Sequence, residues 1–304
     1  MKNTFWTGFW RLADPKISLT SAASIYIGAA VAASESAFSL LWLLVLLFAF
    51  FAIEVAKNAW GDVFDYDSGT DQAVAPEDRT AFSGGKRVLV EDLLTRGQTW
   101  AMAAGFSLAG ILAGVAIVLL REPMALWIGV AGFALGWSYH GPPLRFAYRG
   151  LGELDVVVCY GPLIALSTHL VLAHRLSWEV FWLSVPLGLI IAAFLWVNQF
   201  PDYEADRANG KRNLVVRLGR QRASRVLPWI YLTAFAIMAA LPLAGFSRMT
   251  WLGGLAAIPA GYVSFQVWRA PESFYRSVPA QPVALITFLV YSAGAGTGVL
   301  IASP

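Results

Sequence analysis

The segment 198–217, NQFPDYEADRANGKRNLVVR, ends a long apolar run, and the interpretation of the chain begins from it. Asp202 and Asp206 are four residues apart, so on a helix both carboxylates project from one face. Lys211 and Arg212 follow a glycine that is suited to end the helix. Carboxylates bind divalent metal ions, and basic side chains bind phosphate oxygens. The segment therefore predicts a site for a metal ion and a phosphate-bearing ligand, although basic residues also collect beside membrane spans for topological reasons.

A second segment, 58–71, reads NAWGDVFDYDSGTD and also ends an apolar run. Asn58 and Asp62 repeat the Asn-x-x-x-Asp spacing of the first segment. Asp65 shares a helical face with Asp62, and Asp71 follows just off the helix. Clustered carboxylates repel one another unless a cation lies between them. Two such segments predict two similar half-sites that face each other across a bound cation.

The composition is that of a polytopic membrane protein. The chain has 304 residues, of which 58% are hydrophobic and 13% charged, and its mean hydropathy is +0.60. Its net charge of +3 gives no reason to expect a nucleic-acid partner. Cys159 is the single cysteine, which excludes an intrachain disulfide and a cysteine-based zinc site.

Apolar runs of spanning length predict nine transmembrane helices. They cover 17–33, 37–53, 100–120, 124–139, 154–172, 178–197, 226–243, 251–267 and 283–301. Because the two acidic segments end the second and sixth spans, we expect a parallel repeat. The predicted fold is all-α, with two pseudo-repeated four-helix halves plus a ninth helix, in a single domain over 1–304.

The basic residues predict the orientation. Most of the 22 lysines and arginines fall in the N-terminal segment and the connections after the even-numbered spans. The opposite side has Arg121, Arg175 and Arg248. The positive-inside rule then places the N-terminus and both acidic segments in the cytoplasm. A prokaryotic inner membrane is the expected location, with active-site connections at about 61–99, 141–153 and 201–225.

Two further segments are YHGPPLRFAYRGLGEL at 139–154 and GKRNLVVRLG at 210–219. In these and in the two acidic segments, the chain resembles the UbiA superfamily of intramembrane prenyltransferases. Within it, the chain looks most like the branch that prenylates 1,4-dihydroxy-2-naphthoate in menaquinone biosynthesis. The resemblance implies Mg²⁺-dependent transfer of a polyprenyl group from an allylic polyprenyl diphosphate to an aromatic acceptor. Diphosphate leaves, and an apolar bundle in the membrane lipid holds the isoprenoid tail.

The resemblance and the spacing together give the candidate site. The catalytic candidates are Asp62, Asp65, Asp202, Asp206 and Tyr139, and the same four aspartates with Asp71 are the metal candidates. The diphosphate candidates are Lys211, Arg212, Asn198, Arg145, Lys86 and Arg87, and further candidates are Asn58, Glu54 and His140. In one departure from the family pattern, Gly61 stands where an asparagine often precedes the first aspartate, which leaves open whether Asn58 replaces it.

Three alternatives remain open at the level of sequence. Related branches use other acceptors, such as homogentisate or 4-hydroxybenzoate, and some members cyclise the prenyl cation without an acceptor. A secondary transporter is an alternative of a different class, because intramembrane carboxylates and repeats occur in such proteins. The aspartates here end spans on one face of the membrane, which favours the enzyme.

Overall fold

The computed structural model of the protein describes residues 2–302, with side chains from Thr4 onward. Met1, Ser303 and Pro304, at the ends of the predicted 1–304 domain, lie outside the described residues. All regular secondary structure in the described part is helical. The longer helices are α1 (Lys2–Ala13), α2 (Pro15–Ser34), α3 (Leu40–Ser68), α4 (Arg96–Leu120), α5 (Ala125–His140), α6 (Gly152–Ala173), α7 (Trp178–Asn198), α8 (Arg220–Ala240), α9 (Ala257–Arg269) and α10 (Ala280–Ala302).

Seven helices in the described part of the chain are long and apolar enough to cross a membrane. They correspond to seven of the nine predicted spans. The fourth predicted span is α5, which has 16 residues. The eighth is a 3₁₀ segment, Arg248–Ala256, continued by the 13 residues of α9. The protein is therefore an all-helical integral membrane protein, and the count of nine spans and the repeat remain predictions.

The main core lies among α2 and α7–α10. Large side chains fill it completely, including Phe200, Phe274, Phe288 and Tyr291. By contrast, α4 and α5 expose many apolar side chains on the outside of the bundle, where lipid would cover them. The second half of the chain is thus packed more tightly than the first.

Helix α6 is interrupted by one wide turn at Cys159–Leu163. Pro162 cannot donate a backbone hydrogen bond, and the backbone at Gly161 is not helical. The carbonyl of Tyr160 accepts a hydrogen bond from the Ser24 hydroxyl instead. Gly161 also lies so close to α7 that an added Cβ would be 3.1 Å from the Cα of Gly188. The bend therefore depends on local sequence, and it directs Tyr160 toward α3.

Candidate active site

The two acidic segments meet at one end of the bundle. Asp62 and Asp65 lie on the last turns of α3, which ends at Gly69 in a left-handed conformation. Asp202 directly precedes the short helix Tyr203–Ala208, and the Asp206 amide donates to its carbonyl. A Cβ at Gly69 would be 2.8 Å from Oδ1 of Asn209. The predicted helical pairing of the aspartates and their approach across the site are both present.

Lys211 lies at the centre of the carboxylates. Its Nζ is 2.8 Å from Oδ2 of Asp65 and 3.9 Å from Oδ1 of Asp206. The Tyr148 hydroxyl donates to Oδ1 of Asp65 over 2.5 Å, and the Lys211 ammonium is 5.6 Å from the Tyr148 ring centroid. One cation therefore joins the two acidic segments, as the repulsion between their carboxylates requires.

Three buried carboxylate oxygens at the site have no hydrogen-bond partner among the described residues. They are the Oδ1 atoms of Asp62, Asp202 and Asp206. The other oxygens of Asp62 and Asp206 are held, because Leu89 N donates to Asp62 over 3.3 Å and Asn213 Nδ2 to Asp206 over 2.7 Å. Buried oxygens without partners are costly in the absence of a ligand. Each of the three aspartates thus offers one oriented oxygen to a bound cation.

Burial and neighbouring charges shift the pKa values of the site residues that lie outside the membrane-spanning helices. Burial raises the pKa of Asp202 to about 6 and raises the pKa values of Asp71 and Asp206 above the usual range, with neighbouring carboxylates adding to the effect. Burial lowers the pKa of the Lys211 ammonium, but Asp65 and Asp206 outweigh it and raise the pKa overall. The cluster therefore keeps the lysine in its charged form.

The glycine pair of the 61–99 connection closes over the carboxylates. Gly84 and Gly85 both have positive φ, at 87° and 74°. An added Cβ at Gly85 would be 2.3 Å from both carboxylate oxygens of Asp71, and the Gly84 backbone lies close enough to Asp202 to oppose the rise in the pKa of that carboxyl. Only glycine allows this approach. The connection therefore lies beside both acidic segments. The cations that follow the glycine pair, Lys86 and Arg87, contact other groups.

Lys86 and Arg87 have partners away from the centre of the cluster. The Lys86 ammonium pairs with Asp14, at the start of α2. Arg87 donates to the carboxylate of Glu91 over 3.1 Å and to the backbone carbonyl of Asp71 over 2.9 Å. Their predicted role as diphosphate contacts remains a prediction, and in this structure they hold the connection against α2 and itself.

Two further predicted cations differ in their surroundings. The Arg145 guanidinium carbon is 4.0 Å from the ring centroid of Tyr148, and its buried Nε has no hydrogen-bond partner among the described residues. Arg212 is exposed, and its carbonyl accepts from the Arg217 side chain. Arg145 therefore lies beside Tyr148, which holds Asp65, and its Nε could donate a hydrogen bond to a ligand.

The two predicted asparagines are engaged in packing contacts. Asn58 donates to the carbonyl of Leu12 over 2.8 Å, and Asn198 accepts from Gln281 over 3.0 Å. The space beside Gly61 is filled by His140, because an added Cβ would be 2.9 Å from its ring. His140 Nε2 is 3.7 Å from Oδ2 of Asp65. His140, and not Asn58, thus occupies the place beside Gly61.

A cavity of about 600 Å³ lies between α3, α4, α5 and α6. Its wall is apolar over most of its length, with glycines and aliphatic side chains on α4 and α5. Tyr139 lines it, and the Tyr139 ring contacts His140 edge-on with 4.7 Å between ring centroids. Because His140 reaches Asp65, the cavity is connected to the carboxylates through two adjacent side chains.

The sequence interpretation missed two residues that hold the aspartates. Tyr148 lies in the same connection as Tyr139, and it, rather than Tyr139, contacts a carboxylate. Asn213 follows the basic pair and caps the next short helix while it holds Asp206. A polar residue directly after Lys211 and Arg212 was a usable signal for Asn213. No spacing rule distinguishes Tyr148 from Tyr139.

The donor set fits Mg²⁺ bound together with a diphosphate. Among the described residues, no group of three or more histidine, cysteine or acidic side chains is placed so that it could hold a metal ion by itself. Mg²⁺ is usually held by one or two carboxylates, water and substrate phosphate oxygens, which such an open set allows. The unpartnered oxygens of Asp62, Asp202 and Asp206 are hard donors of the required kind.

Comparison with known families matches residues 21–293 to the UbiA prenyltransferase family. The chain belongs to this family. It is similar over 243 residues, at 25% identity, to the 1,4-dihydroxy-2-naphthoate octaprenyltransferase of Bacillus subtilis, covering 80% of this chain and 76% of that one. The Haemophilus influenzae protein of the same name is 27% identical over 94% of both chains. This UbiA chain is therefore a prenyltransferase.

A solved UbiA homologue from Archaeoglobus fulgidus, bound to GPP and Mg²⁺, has the same fold as this UbiA chain. The TM-score is 0.62, with 97% of this chain and 100% of the homologue covered at 15% sequence identity. The likeness shows that the two proteins share a fold.

Proposed function

We propose that this enzyme transfers a polyprenyl group from an allylic polyprenyl diphosphate to 1,4-dihydroxy-2-naphthoate, with Mg²⁺ as cofactor. The observation that carries the proposal is the meeting of the two acidic segments at Lys211, through Asp65 and Asp206, next to an apolar cavity of about 600 Å³. The naphthoate is supported by the names of the relatives from B. subtilis and H. influenzae. Diphosphate is the second product.

The charged groups act on the leaving group. Lys211 and Arg145 provide positive charge and hydrogen-bond donors for the diphosphate as the allylic C–O bond breaks. Bound Mg²⁺ supplies Lewis-acid stabilisation of the charge that develops on the diphosphate oxygens. Asp62, Asp202 and Asp206 would hold the ion through their unpartnered oxygens. Asp65 fixes Lys211 in place.

The cavity acts on the isoprenoid. Its apolar wall accommodates the hydrocarbon tail by burial of apolar surface, and it keeps water away from the allylic carbon while positive charge develops there. Tyr139 lines the cavity beside His140, so its ring faces the end nearest the carboxylates. The aromatic acceptor then reacts with the allylic carbon at this end.

The test is an assay with purified protein, Mg²⁺ and polyprenyl diphosphates of several lengths. Acceptors are 1,4-dihydroxy-2-naphthoate, 4-hydroxybenzoate and homogentisate, and products are read by mass spectrometry. We expect a prenylated naphthoate product and stoichiometric diphosphate, both abolished by EDTA and restored by Mg²⁺. Prenylation of either benzenoid acceptor without the naphthoate would overturn the acceptor. A cyclised hydrocarbon formed without acceptor would overturn the transfer.

A further inference from the structure

Polar side chains form a distinct group inside the otherwise apolar cavity. The group consists of Glu54 and Lys57 on α3, Tyr139 on α5, and Asp155 and Tyr160 on α6. Ionisable residues within membrane spans are costly, and they usually face a functional site. The two carboxylates and the ammonium in this membrane bundle therefore indicate a functional role.

Glu54 and Lys57 have polar atoms that could form further hydrogen bonds with a ligand. Glu54 is 6% exposed, its Oε1 accepts from the Ser21 hydroxyl over 2.5 Å, and its buried Oε2 has no partner among the described residues. The Lys57 ammonium donates to the Tyr160 hydroxyl over 2.8 Å and lies 5.7 Å from the Tyr139 ring centroid. No ion pair joins Glu54 to Lys57 among the described residues, and one oxygen of Glu54 has no hydrogen bond.

A series of side-chain contacts leads from the polar group to the carboxylate cluster. Tyr139 contacts Lys57 on one side and His140 on the other, and His140 reaches Asp65. Glu54 precedes Asp62 by eight residues, which corresponds to about 12 Å along a helix axis. An aromatic ring placed between them has one edge at Glu54 and Lys57 and the other toward the diphosphate.

The charges decide which group of the acceptor binds here. Glu54 and Asp155 are both acidic, so their carboxylates would repel an anionic group of the acceptor that has no proton to donate. A ring hydroxyl donates to the open Oε2 and places its oxygen beside the Lys57 ammonium. Recognition of a hydroxyl thus gives the Glu54 Oε2 a hydrogen-bond donor and places the hydroxyl oxygen within reach of the Lys57 ammonium.

We propose that Glu54 is the general base for the acceptor and that Lys57 stabilises the phenolate. This inference rests on the proposed function and adds the group that activates the acceptor. Oε2 of Glu54 takes the hydroxyl proton, and the O–H electron pair passes into the ring. The activated ring carbon bonds to the allylic carbon as the C–O bond to diphosphate breaks, and diphosphate leaves with the electron pair of that C–O bond. Loss of a proton or of CO₂ from the alkylated ring carbon then restores the aromatic ring. Proton transfer moves the negative charge from Glu54 to an oxygen beside Lys57, so the total charge in the cavity is unchanged.

The test compares Glu54→Gln with Glu122→Gln, which makes the same substitution at a buried glutamate beside His174. Glutamine keeps the size and an accepting oxygen but cannot take a proton. We expect Glu54→Gln to lower kcat for naphthoate prenylation at least about 100-fold, the range for loss of a general base. KM for the polyprenyl diphosphate stays within about threefold of wild type, because its binding groups are intact. Glu122→Gln keeps wild-type kcat.

A second pair of measurements separates activation from folding. Glu54→Asp keeps a carboxylate and is expected to retain intermediate kcat, even if Glu54→Gln folds poorly. A naphthoate whose 1- and 4-hydroxyls are both methylated is expected to give no product with wild-type enzyme. Wild-type kcat in Glu54→Gln, no recovery in Glu54→Asp, or prenylation of the methyl ether would overturn the role of Glu54. Absence of transfer to every hydroxylated acceptor by wild-type enzyme would instead refute the proposed function.

Discussion

Replacing Lys211 by methionine tests the central contact of the site. The change removes the ammonium 2.8 Å from Asp65 and 3.9 Å from Asp206 and keeps most of the apolar stem. Both partners are largely buried, with side-chain exposures of 16% for Lys211 and 11% for Asp65. Asp65 is then left as a buried charge that keeps only the Tyr148 hydroxyl and the nearby His140.

The expected magnitude follows from that burial. Removal of one partner of a buried ion pair costs about 3–5 kcal/mol of folding stability, mainly because the remaining charge is uncompensated. Removal of a group that stabilises the leaving diphosphate lowers turnover about 10²–10³-fold. The double variant Lys211→Met with Asp65→Asn removes both charges, so it recovers much of the stability but not the turnover.

Thermal unfolding in detergent and release of diphosphate measure the two effects. Mg²⁺ is expected to raise the unfolding midpoint of Lys211→Met more than that of wild type, because the metal partly replaces the missing cation. Lys16→Met is the control, since Lys16 bonds the Ala81 carbonyl outside the cluster. Wild-type stability and turnover in Lys211→Met would refute the reasoning, as would a double variant less stable than the single one.

Three further predictions follow from the same geometry. Asp62→Asn and Asp202→Asn should each lower kcat at least about 10²-fold. The fold-loss of the double variant should be far smaller than the product of the two single losses, because both residues would hold one metal ion. Multiplicative losses in steady-state assays would contradict a shared site. Gly61→Asn should lower stability and activity because its Cβ would be 2.9 Å from His140, and His140→Ala should restore the unfolding midpoint; Gly61→Asn as stable as wild type argues against this packing. A cysteine at exposed Ala208, in a cysteine-free background, should be labelled only from the cytoplasmic side, and labelling from outside intact cells would reverse the orientation.

Hydropathy located the helices well, because a membrane span requires a run of apolar residues whatever its neighbours are. It could not give the geometry of the predicted eighth span. That segment begins as a 3₁₀ helix whose backbone lies against α10, where an added Cβ at Gly294 would be 2.4 Å from the carbonyl of Leu252. Such close approach depends on tertiary packing, which the hydropathy of a single segment does not contain.

The acidic centre of the site was predictable because its spacing is local. Asp62 with Asp65, and Asp202 with Asp206, are fixed on their own helical turns. The partners of the cations were not predictable in the same way. Lys86 pairs with Asp14, 72 residues away. The fold brings such residues together, and no local pattern of charge specifies them.

In the proposed function, the cavity among α3–α6 holds the isoprenoid chain, and its glycines would set how much chain it accommodates. Gly114, Gly129 and Gly136 all line it, and a Cβ added at any of them would meet no described atom within 4 Å. Larger residues at these positions would shorten the space for the isoprenoid without disturbing the packed core of α7–α10. The proposed function therefore implies that single substitutions on α4 and α5 would change the accepted chain length, while the core of α7–α10 keeps its packing.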